Sequence, residues 1–304
     1  MSERVRHDSR ILTFDCAMFE KDPLLFASPF FAILIAIEVI INTRQHLHLY
    51  LTKDSVASIS MGAVTLVIGL GVKIAAFFVF TFLHQFAFLE LGNVWWVWVL
   101  CMFGDDFSFY WHHRLSHEVR ILWAAHVNHH SSEMLNFSTA LRQSWTEQLY
   151  KYVFWLWMPL VGFDPIMIMT MMSINLIFQF LPHTQLVGKL GPLEWIFNTP
   201  SHHRVHHASN HKYLDRNHAG LFIIWDRMFG TFQEEDEKEK PVYGITNNIH
   251  TYNLFQIASH EFKDLCTDIK RASDFKTKLK YIFYPPGWSH DGEDRRAKVL
   301  RGKV

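Results

Sequence analysis

Residues 95–117, WWVWVLCMFGDDFSFYWHHRLSH, join an apolar segment to a histidine pair with no proline between them. The apolar run from Phe86 to Phe109 is a candidate membrane helix that begins near Gly92, and its tryptophans suit a membrane interface. Separations of four, three and four residues keep the polar residues of the stretch on one helical face. That face carries Asp106, Tyr110, His113 and His117. The stretch predicts a helix that leaves the membrane and presents imidazoles in a polar cap.

Two further histidine clusters have the same helical spacing. His126-Val-Asn-His129-His130 places imidazoles at positions i, i+3 and i+4, and His203-Arg-Val-His206-His207 repeats the pattern. Such residues share a helix face, so their imidazoles can bind one metal ion. His112 points away from the first face, and we interpret it as a bystander. One such spacing occurs by chance in helical proteins, whereas three in one chain predict a metal site.

A lone histidine, His183, follows the apolar hairpin described below. It completes a set of nine candidate ligands: His113, His117, His126, His129, His130, His183, His203, His206 and His207. Nine ligands are too many for one tetrahedral zinc site and enough for two ions. Neutral imidazole binds Fe, Zn, Cu or Ni, so the ligands alone do not identify the metal. A site at the membrane face favours redox-active iron over zinc, because the C–H bonds of a lipid chain require a strong oxidant.

We interpret Asp106 and Tyr110 as catalytic-site residues that orient imidazoles or donate hydrogen bonds to the site. A metal-bound histidine usually donates its second N–H to a carboxylate or carbonyl, which favours this role for Asp106. The alternative interpretation is a helix-end cap for Asp106 and an interface position for Tyr110.

Three other apolar segments predict the rest of the membrane part. Leu24 to Asn42 is long enough to cross a bilayer, and Val56 to Phe82 is longer than a crossing requires. The run from Leu149 to Leu181 is interrupted at residues 162–165 and predicts a hairpin of two helices that enters the bilayer and returns. This return would bring His183 to the face on which the other histidines lie.

Two ionisable residues, Glu38 and Lys73, fall inside the first two candidate spans, where such residues are costly. In antiparallel helices Glu38 would lie about 6 Å from the connecting loop and Lys73 about 26 Å, so the two are not expected to pair. We interpret Glu38 as lying near an interface and Lys73 as extending its ammonium group toward one.

These segments predict an all-α integral membrane bundle of about four to five membrane helices, with a helical cap that carries a histidine-rich di-metal site. The expected division is an N-terminal segment (1–23), membrane helices (24–109), a first histidine-box region (110–148), a membrane hairpin (149–182) and a cap (183–304), with the catalytic domain at about 90–250. In the cap, Phe255, Phe262, Leu265 and Ile269 have the spacing of an amphipathic surface helix.

The composition limits the other classes of function. Twenty-nine acidic residues balance 29 basic ones, so the global charge does not indicate a nucleic-acid partner. Three scattered cysteines do not form a disulfide framework and suit a reducing compartment. The first 23 residues lack an uninterrupted apolar core and do not resemble a cleaved signal peptide.

The three histidine boxes in this order resemble the fatty acid hydroxylase and sterol desaturase superfamily. The stretches DFSFYWHHRLSHE, HHSSEMLNFSTALRQS, NTPSHHRVHH and NHAGLFIIWDRMFGTF are most similar to its alkylglycerol monooxygenase group. This similarity covers about residues 104–244 and returns in the PPGW near the C-terminus. The resemblance implies that the nine histidines bind two Fe ions in a multi-pass enzyme of a bacterial cell membrane or the endoplasmic reticulum, whose active site faces the cytosol.

The same resemblance gives further expectations. Trp225, Asp226, Phe229 and Gly230 match a WDxxFGT element, which we assign to packing beneath the site. His218 occupies a position where relatives often have tyrosine or phenylalanine, which leaves open whether it is a ligand. The alkylglycerol monooxygenases use tetrahydrobiopterin as the reductant, and the chain has no local motif for it.

The sequence therefore predicts a di-iron monooxygenase that uses O2 and two external electrons to hydroxylate an aliphatic C–H bond of a lipid. Hydroxylation beside an ether oxygen would give a hemiacetal that collapses to an aldehyde. No dinucleotide fingerprint or haem-attachment motif is found, so an electron-donor protein or a diffusible reductant is expected. The alternative within the superfamily is a sterol or fatty-acyl hydroxylase or desaturase. Alternatives of other classes are a membrane metal transporter, which would have ligands dispersed within its spans, and a zinc-dependent membrane hydrolase.

Overall fold

A computed structural model describes residues 22–303, and no extended strand is present among them. The helices are α1 (Pro23–Gln45), α2 (Thr52–His84), α3 (Trp95–Glu118), α4 (Arg120–His130), α5 (Trp157–Val161), α6 (Pro165–Phe180), α7 (Pro200–His206), α8 (Ile224–Phe229), α9 (Leu254–Arg271), α10 (Phe275–Phe283) and α11 (Ala297–Arg301). The all-α prediction is confirmed for these residues. The interpretation of the N-terminal segment concerns residues that lie almost entirely outside the described range.

Two helices, α1 and α2, are long and apolar enough to cross a bilayer. Asp22 caps α1 by accepting a hydrogen bond from the Leu24 N–H at 3.0 Å, and Pro23 occupies the first helical position. Only 6% of the most apolar part of α1 and 17% of that of α2 are buried. Their aliphatic side chains therefore face outward, as expected in lipid and not in the core of a soluble protein.

The third apolar helix, α3, continues without interruption into the first histidine box. It begins at Trp95, close to the start expected near Gly92, and contains both His113 and His117 before it ends at Glu118. Residues 86–94, which the apolar run included, are not helical. The prediction of one helix that joins the apolar segment to the box is confirmed.

The prediction of a hairpin of two helices is correct for the second arm and wrong for the first. Helix α6 begins at Asp164 and Pro165, as the sequence indicates, with the Asp164 carboxylate accepting from the Ile166 N–H at 2.8 Å. The first arm consists of 3-10 turns and the five-residue helix α5, in place of a continuous helix. Pro159 explains this difference, because proline lacks an amide donor and restricts the residue before it.

A glycine turn joins the two arms. Gly162 has a φ of 122°, and a Cβ atom there would lie 2.1 Å from the Leu89 carbonyl oxygen. The neighbouring Phe88 N–H donates to the Leu160 carbonyl at 2.8 Å, so the turn packs against the connection between α2 and α3. Helix α6 then returns over about 24 Å to His183. The return of the chain to the histidines, which the sequence predicted, is present.

Glu38 and Lys73 do not contact each other, which confirms that they are not paired. Glu38 is only 1% exposed, so its carboxylate is buried within the protein. Its carboxylate accepts hydrogen bonds from Tyr50 Oη at 2.5 Å, Phe137 N at 2.8 Å and Thr184 Oγ1 at 2.5 Å. Lys73 forms an ion pair with Asp22 and donates to Ser173 Oγ. Both groups are thus held by internal partners, and Glu38 ties α1 to the segments that follow the second box and His183.

We expect Glu38→Ala to destabilise the fold by on the order of 1–3 kcal/mol, because the Phe137 N–H and the buried Thr184 hydroxyl would lose their acceptor. The control is Ser28→Ala on the same helix, whose hydroxyl is exposed and bonds only to the Leu24 carbonyl. Unfolding in an SDS titration measures both variants. Equal stabilities for the two variants would contradict the role given to Glu38.

Helix α4 packs between α3 and α9. Arg120 at the start of α4 pairs with Glu261 at 2.9 Å and with Asp268 at 2.7 Å on α9. The amphipathic helix predicted here is present, and its buried side includes Leu265. Phe255 does not belong to that side, since it is 75% exposed. Helix α4, which carries the second histidine box, is therefore fixed on two sides.

Candidate metal centre

All nine predicted histidines converge in two adjacent groups, and every one of them is buried. In each group the nitrogen atoms available for a metal lie within 4.8 Å of one another. The five-histidine cluster contains His113, His117, His126, His130 and His206, and the four-histidine cluster contains His129, His183, His203 and His207.

The helical spacing of the boxes distributes their residues between the two clusters. Helix α3 supplies two residues one turn apart to the five-histidine cluster. Helix α4 supplies its i and i+4 positions to the same cluster and its i+3 position, His129, to the other. The third box lies in α7 and the residue that follows it. Its i and i+4 positions belong to the four-histidine cluster, and only its i+3 position, His206, belongs to the five-histidine cluster. The repeated HxxHH pattern therefore divides its residues between two neighbouring clusters.

The five-histidine cluster has the arrangement of a square pyramid with His117 at the apex. The His117 ring centroid lies 5.3, 5.1, 4.7 and 4.9 Å from those of His113, His126, His130 and His206. The other four rings contact one another in a closed circle, with centroid distances of 4.8, 5.0, 4.7 and 4.4 Å. The five imidazoles of this arrangement would hold one ion from several sides.

The four-histidine cluster has nitrogen spacings that fit ligands at nearly right angles. The Nε2 atom of His183 lies 3.1 Å from that of His129 and 2.9 Å from that of His203, and the Nε2 atoms of His203 and His207 are 3.0 Å apart. With metal–nitrogen distances of about 2.0–2.1 Å, right-angled ligands are about 2.8–3.0 Å apart and tetrahedral ones about 3.3–3.4 Å. The three measured spacings lie nearer to the right-angled value than to the tetrahedral one.

The outer ring nitrogens show that the inner ones are lone-pair donors. The Nδ1 atoms of His129 and His183 donate to the carbonyls of Arg142 at 3.3 Å and Gln179 at 2.8 Å. Because a carbonyl only accepts, the proton lies on Nδ1 and each facing Nε2 carries a lone pair. Two such lone pairs at 3.1 Å repel each other unless a cation lies beside both. The donor set of this chain therefore fits a metal cation.

Burial keeps these imidazoles neutral, as metal ligands must be. Desolvation lowers the pKa of His130, His206 and His207 well below the ordinary value, and nearby histidines lower the pKa further. Desolvation also lowers the pKa of His183 to about 4. Near pH 7 these rings are unprotonated and available to a cation.

Two carboxylates that the sequence did not reveal contact the five-histidine cluster. Glu147 accepts from His126 Nδ1 at 3.1 Å and also lies 3.5 Å from His112 Nε2. Burial raises the pKa of Glu147, but His126 and His112 outweigh burial and lower it to about 2. Asp215 Oδ1 lies 3.3 Å from His117 Nδ1. His112 is outside both clusters, as expected of a bystander, although it adjoins Glu147.

We expect Glu147→Gln to weaken metal binding at the five-histidine cluster by about 10–100-fold, because a carboxylate partner orients a ligating imidazole and increases its basicity. Competition with a fluorescent chelator measures the affinity. Glu133→Gln is the control, since Glu133 is an exposed residue that pairs with His250. An affinity equal to that of this control would contradict the role given to Glu147.

Asp106 and Tyr110 lie beneath the clusters, and neither hydrogen bonds to an imidazole of the described residues. Asp106 accepts from the backbone N–H groups of Leu221 at 2.6 Å and Phe222 at 2.9 Å. Tyr110 Oη lies 2.9 Å from Thr231 Oγ1. In place of the predicted orientation of imidazoles, these contacts fasten residues 220–231 to α3. Backbone carbonyls, Glu147 and Asp215 contact the ligand rings instead.

The WDxxFGT element contributes to the same attachment, as the resemblance led us to expect. Asp226 accepts from the N–H groups of His218 and Ala219, each at 2.8 Å. The Phe229 ring stacks on Tyr110 with a centroid distance of 5.4 Å. This packing holds the backbone that accepts from a ligand, because the His218 carbonyl accepts from His113 Nδ1 at 2.8 Å.

His218 itself belongs to neither cluster. Its ring is fully buried and lies 4.9 Å from that of His117, 5.7 Å from that of His206 and 5.9 Å from that of His113. His202 is also outside both clusters, where it closes a capping box with Thr199 at the start of α7. The structure thus separates the nine clustered histidines from their neighbours in sequence.

Comparison with known proteins agrees with this site. Residues 98–231, which contain all nine clustered histidines, match the fatty acid hydroxylase family. Alkylglycerol monooxygenase of Xenopus tropicalis is 40% identical over 268 residues, which cover 86% of this chain and 58% of that protein. The human alkylglycerol monooxygenase is 45% identical over 64% of this chain and 43% of its own length.

A more distant relative is the ornithine lipid hydroxylase OlsE of Rhizobium tropici, which is 29% identical over 53% of this chain and 49% of its own length. The chain thus spans less than three fifths of the alkylglycerol monooxygenases described here. No solved structure is significantly similar to the chain.

Proposed function

We propose that this protein is a membrane-bound di-iron monooxygenase that hydroxylates an aliphatic C–H bond of a lipid with O2, because residues 98–231 match the fatty acid hydroxylase family. The observation that carries the proposal is the convergence of nine buried imidazoles in two adjacent clusters. The named relatives, which are monooxygenases and hydroxylases, support it.

The chain provides ligands for two ions of unequal coordination. Bound iron would supply the activation of O2, which amino-acid side chains cannot provide. The five-histidine cluster would hold one ion with five imidazoles, and the four-histidine cluster would hold the other with four. Glu147 and Asp215 orient His126 and His117 in the first cluster. Burial of all nine rings excludes bulk water from the reaction.

An alkyl ether lipid is the substrate class that we favour, since the alkylglycerol monooxygenases are the relatives with the greatest coverage reported above. Hydroxylation of the carbon beside the ether oxygen gives a hemiacetal, which collapses to an aldehyde and an alcohol. The two electrons would come from outside the chain, and the resemblance favours tetrahydrobiopterin or a similar diffusible reductant over a protein donor. The ornithine lipid hydroxylase supports a second candidate, simple hydroxylation of an acyl lipid.

In the membrane arrangement that we propose, α1, α2, α3 and the hairpin of residues 149–182 form about four to five membrane segments. The histidine clusters would lie at the cytosolic end of this bundle, in a bacterial cell membrane or the endoplasmic reticulum. Support comes from the outward-facing apolar side chains of α1 and α2 and from the course of α3 into the cap.

Other classes of function fit less well. A metal transporter would place its ligands along the membrane segments, whereas here they are gathered at one end. A zinc hydrolase would prefer tetrahedral nitrogen spacing, which the four-histidine cluster does not have.

Lipid mass spectrometry of cells that express the wild-type protein or His206→Ala tests the proposal. We expect the wild type to deplete ether lipids and the variant to leave them unchanged. Accumulation of hydroxylated acyl lipids would favour the second candidate. No change in any lipid class, from protein that contains two irons and receives a reductant, would contradict the monooxygenase assignment.

A further inference from the structure

Residues just before the third histidine box, together with α8, present an apolar surface that the fold leaves uncovered. We name it the apolar flap, and it consists of Leu190 (42% exposed), Leu193 (54%), Trp195 (72%), Ile196 (50%) and Met228 (67%). The Ile223 N–H donates to the Ile196 carbonyl at 2.9 Å, and Arg227 donates to the Glu194 carbonyl. The two parts of the flap are therefore one surface, of the kind that marks an interaction site.

The backbone beneath the flap is fixed against α3 well below the histidines. The Asp106 carboxylate binds the Leu221 and Phe222 amides, and the Phe222 ring stacks on Phe103 with a centroid distance of 4.8 Å. Asp106 lies about 16 Å along α3 from Trp95 and about 10 Å before His113. Because a bilayer's hydrocarbon region is about 30 Å thick, the flap adjoins the part of α3 that would lie within or at the edge of the bilayer.

The backbone here satisfies its own polar groups, as a segment near lipid must. Besides the bond at Ile196, the Asn198 N–H donates to the Leu221 carbonyl at 2.8 Å, and the Asn198 amide donates to the Ala219 carbonyl at 2.6 Å. This network leaves side chains, and not unpaired amides, to face outward.

Charged groups of both signs adjoin the apolar flap. A cavity of about 500 Å³ behind Trp195 is lined by Lys189, Arg227, Glu194 and Glu234, together with His202. Lys189 pairs with Glu234 at 2.7 Å, so the lining offers both signs of charge. Phosphate and amine groups of zwitterionic lipids can approach such a surface, and tryptophan is enriched at that level of a membrane.

We propose that the apolar flap inserts into the headgroup and acyl boundary of the same bilayer that α1 and α2 cross. The third histidine box would then be held at the lipid surface, since the flap leads through Asn198 into Thr199, which caps the helix that carries His203. This inference depends on the membrane location and does not depend on the reaction, so it can fail or succeed independently of the proposed monooxygenase activity.

Spin-label accessibility in phosphatidylcholine nanodiscs tests the inference. A nitroxide is attached at Leu193→Cys in one variant and at Trp195→Cys in another, and each variant also carries Cys16→Ser and Cys266→Ser. Val67→Cys, on the outward face of α2, is the lipid control, and Lys238→Cys, in an exposed loop, is the aqueous control. The metal content of each variant reports whether the fold is retained.

We expect the flap labels to be accessible to O2 and to be protected from a water-soluble nickel chelate by about an order of magnitude relative to Lys238, as the Val67 label is. Accessibility equal to that of Lys238 would overturn the proposal. Dipolar broadening at the flap labels would also overturn it, because it would show that a second copy of the chain covers the surface. An aqueous Val67 label would refute the membrane location itself.

Discussion

His203→Ala is expected to lower the metal content of the purified protein from about two ions per chain to about one and to reduce lipid oxidation by more than about a hundredfold. His203 Nε2 lies 2.9 Å from that of His183 and 3.0 Å from that of His207, so its removal takes one of four ligands from that cluster. Elemental analysis and an O2-consumption assay measure the two effects.

The matched control is His202→Gln, at the adjacent position of the same box. His202 is outside both clusters, and glutamine can replace its contact with the Thr199 amide at the third position of the helix. The control is expected to retain about two ions. Equal losses of metal in the two variants would show that the box is only structural.

Arg142→Met is expected to destabilise the fold by about 3–5 kcal/mol, the largest stability effect that we predict, because it leaves a buried carboxylate without its cation. The Arg142 side chain is 1% exposed and pairs with Asp54 at 3.1 Å. It also donates to the Asn128 carbonyl at 3.0 Å, within the second histidine box. Unfolding in an SDS titration, with metal content measured in parallel, reports both consequences.

The double variant Asp54→Asn, Arg142→Met separates the charge effect from the loss of packing. Removing both charges is expected to recover part of the stability, because neither partner then remains ionised and unpaired. The contrary result is that Asp54→Asn lowers the stability of the Arg142→Met variant by as much as it lowers that of the wild type. The two residues then do not act as a pair.

The histidine clusters could be predicted from the sequence because the information was local. One helical turn separates His113 from His117 and His126 from His130, and each pair is found in one cluster. His183 was included through the break at residues 162–165, which required the chain to return. The helical course of α3 followed from the same periodicity.

The residues that orient the imidazoles could not be predicted, because they approach from distant parts of the chain. Glu147 lies 21 residues from His126, and Asp215 lies 98 residues from His117. Four of the orienting groups are backbone carbonyls, and a carbonyl has no sequence signature. They are the carbonyls of Arg142, Gln179 and His218 and that of Arg216, which accepts from His206 Nδ1 at 2.9 Å. Asp106 has suitable spacing on the helix face that carries His113 and His117. It lies about two turns before His113, however, and contacts backbone amides instead of imidazoles.

The partners of Glu38 could not be predicted for the same reason. Its carboxylate accepts from three donors that lie outside α1, those of Tyr50, Phe137 and Thr184. Buried ionisable groups in such helices depend on tertiary partners that the sequence of one helix does not contain.

The count and environment of bound iron test the central claim most directly. Mössbauer spectroscopy of reduced protein, purified from cells supplied with the Mössbauer-active isotope, should show two ferrous quadrupole doublets of equal area and two irons per chain. The five-histidine and four-histidine clusters require this inequality of environment. A single doublet with one iron per chain, or protein that retains only zinc, would contradict the di-iron centre.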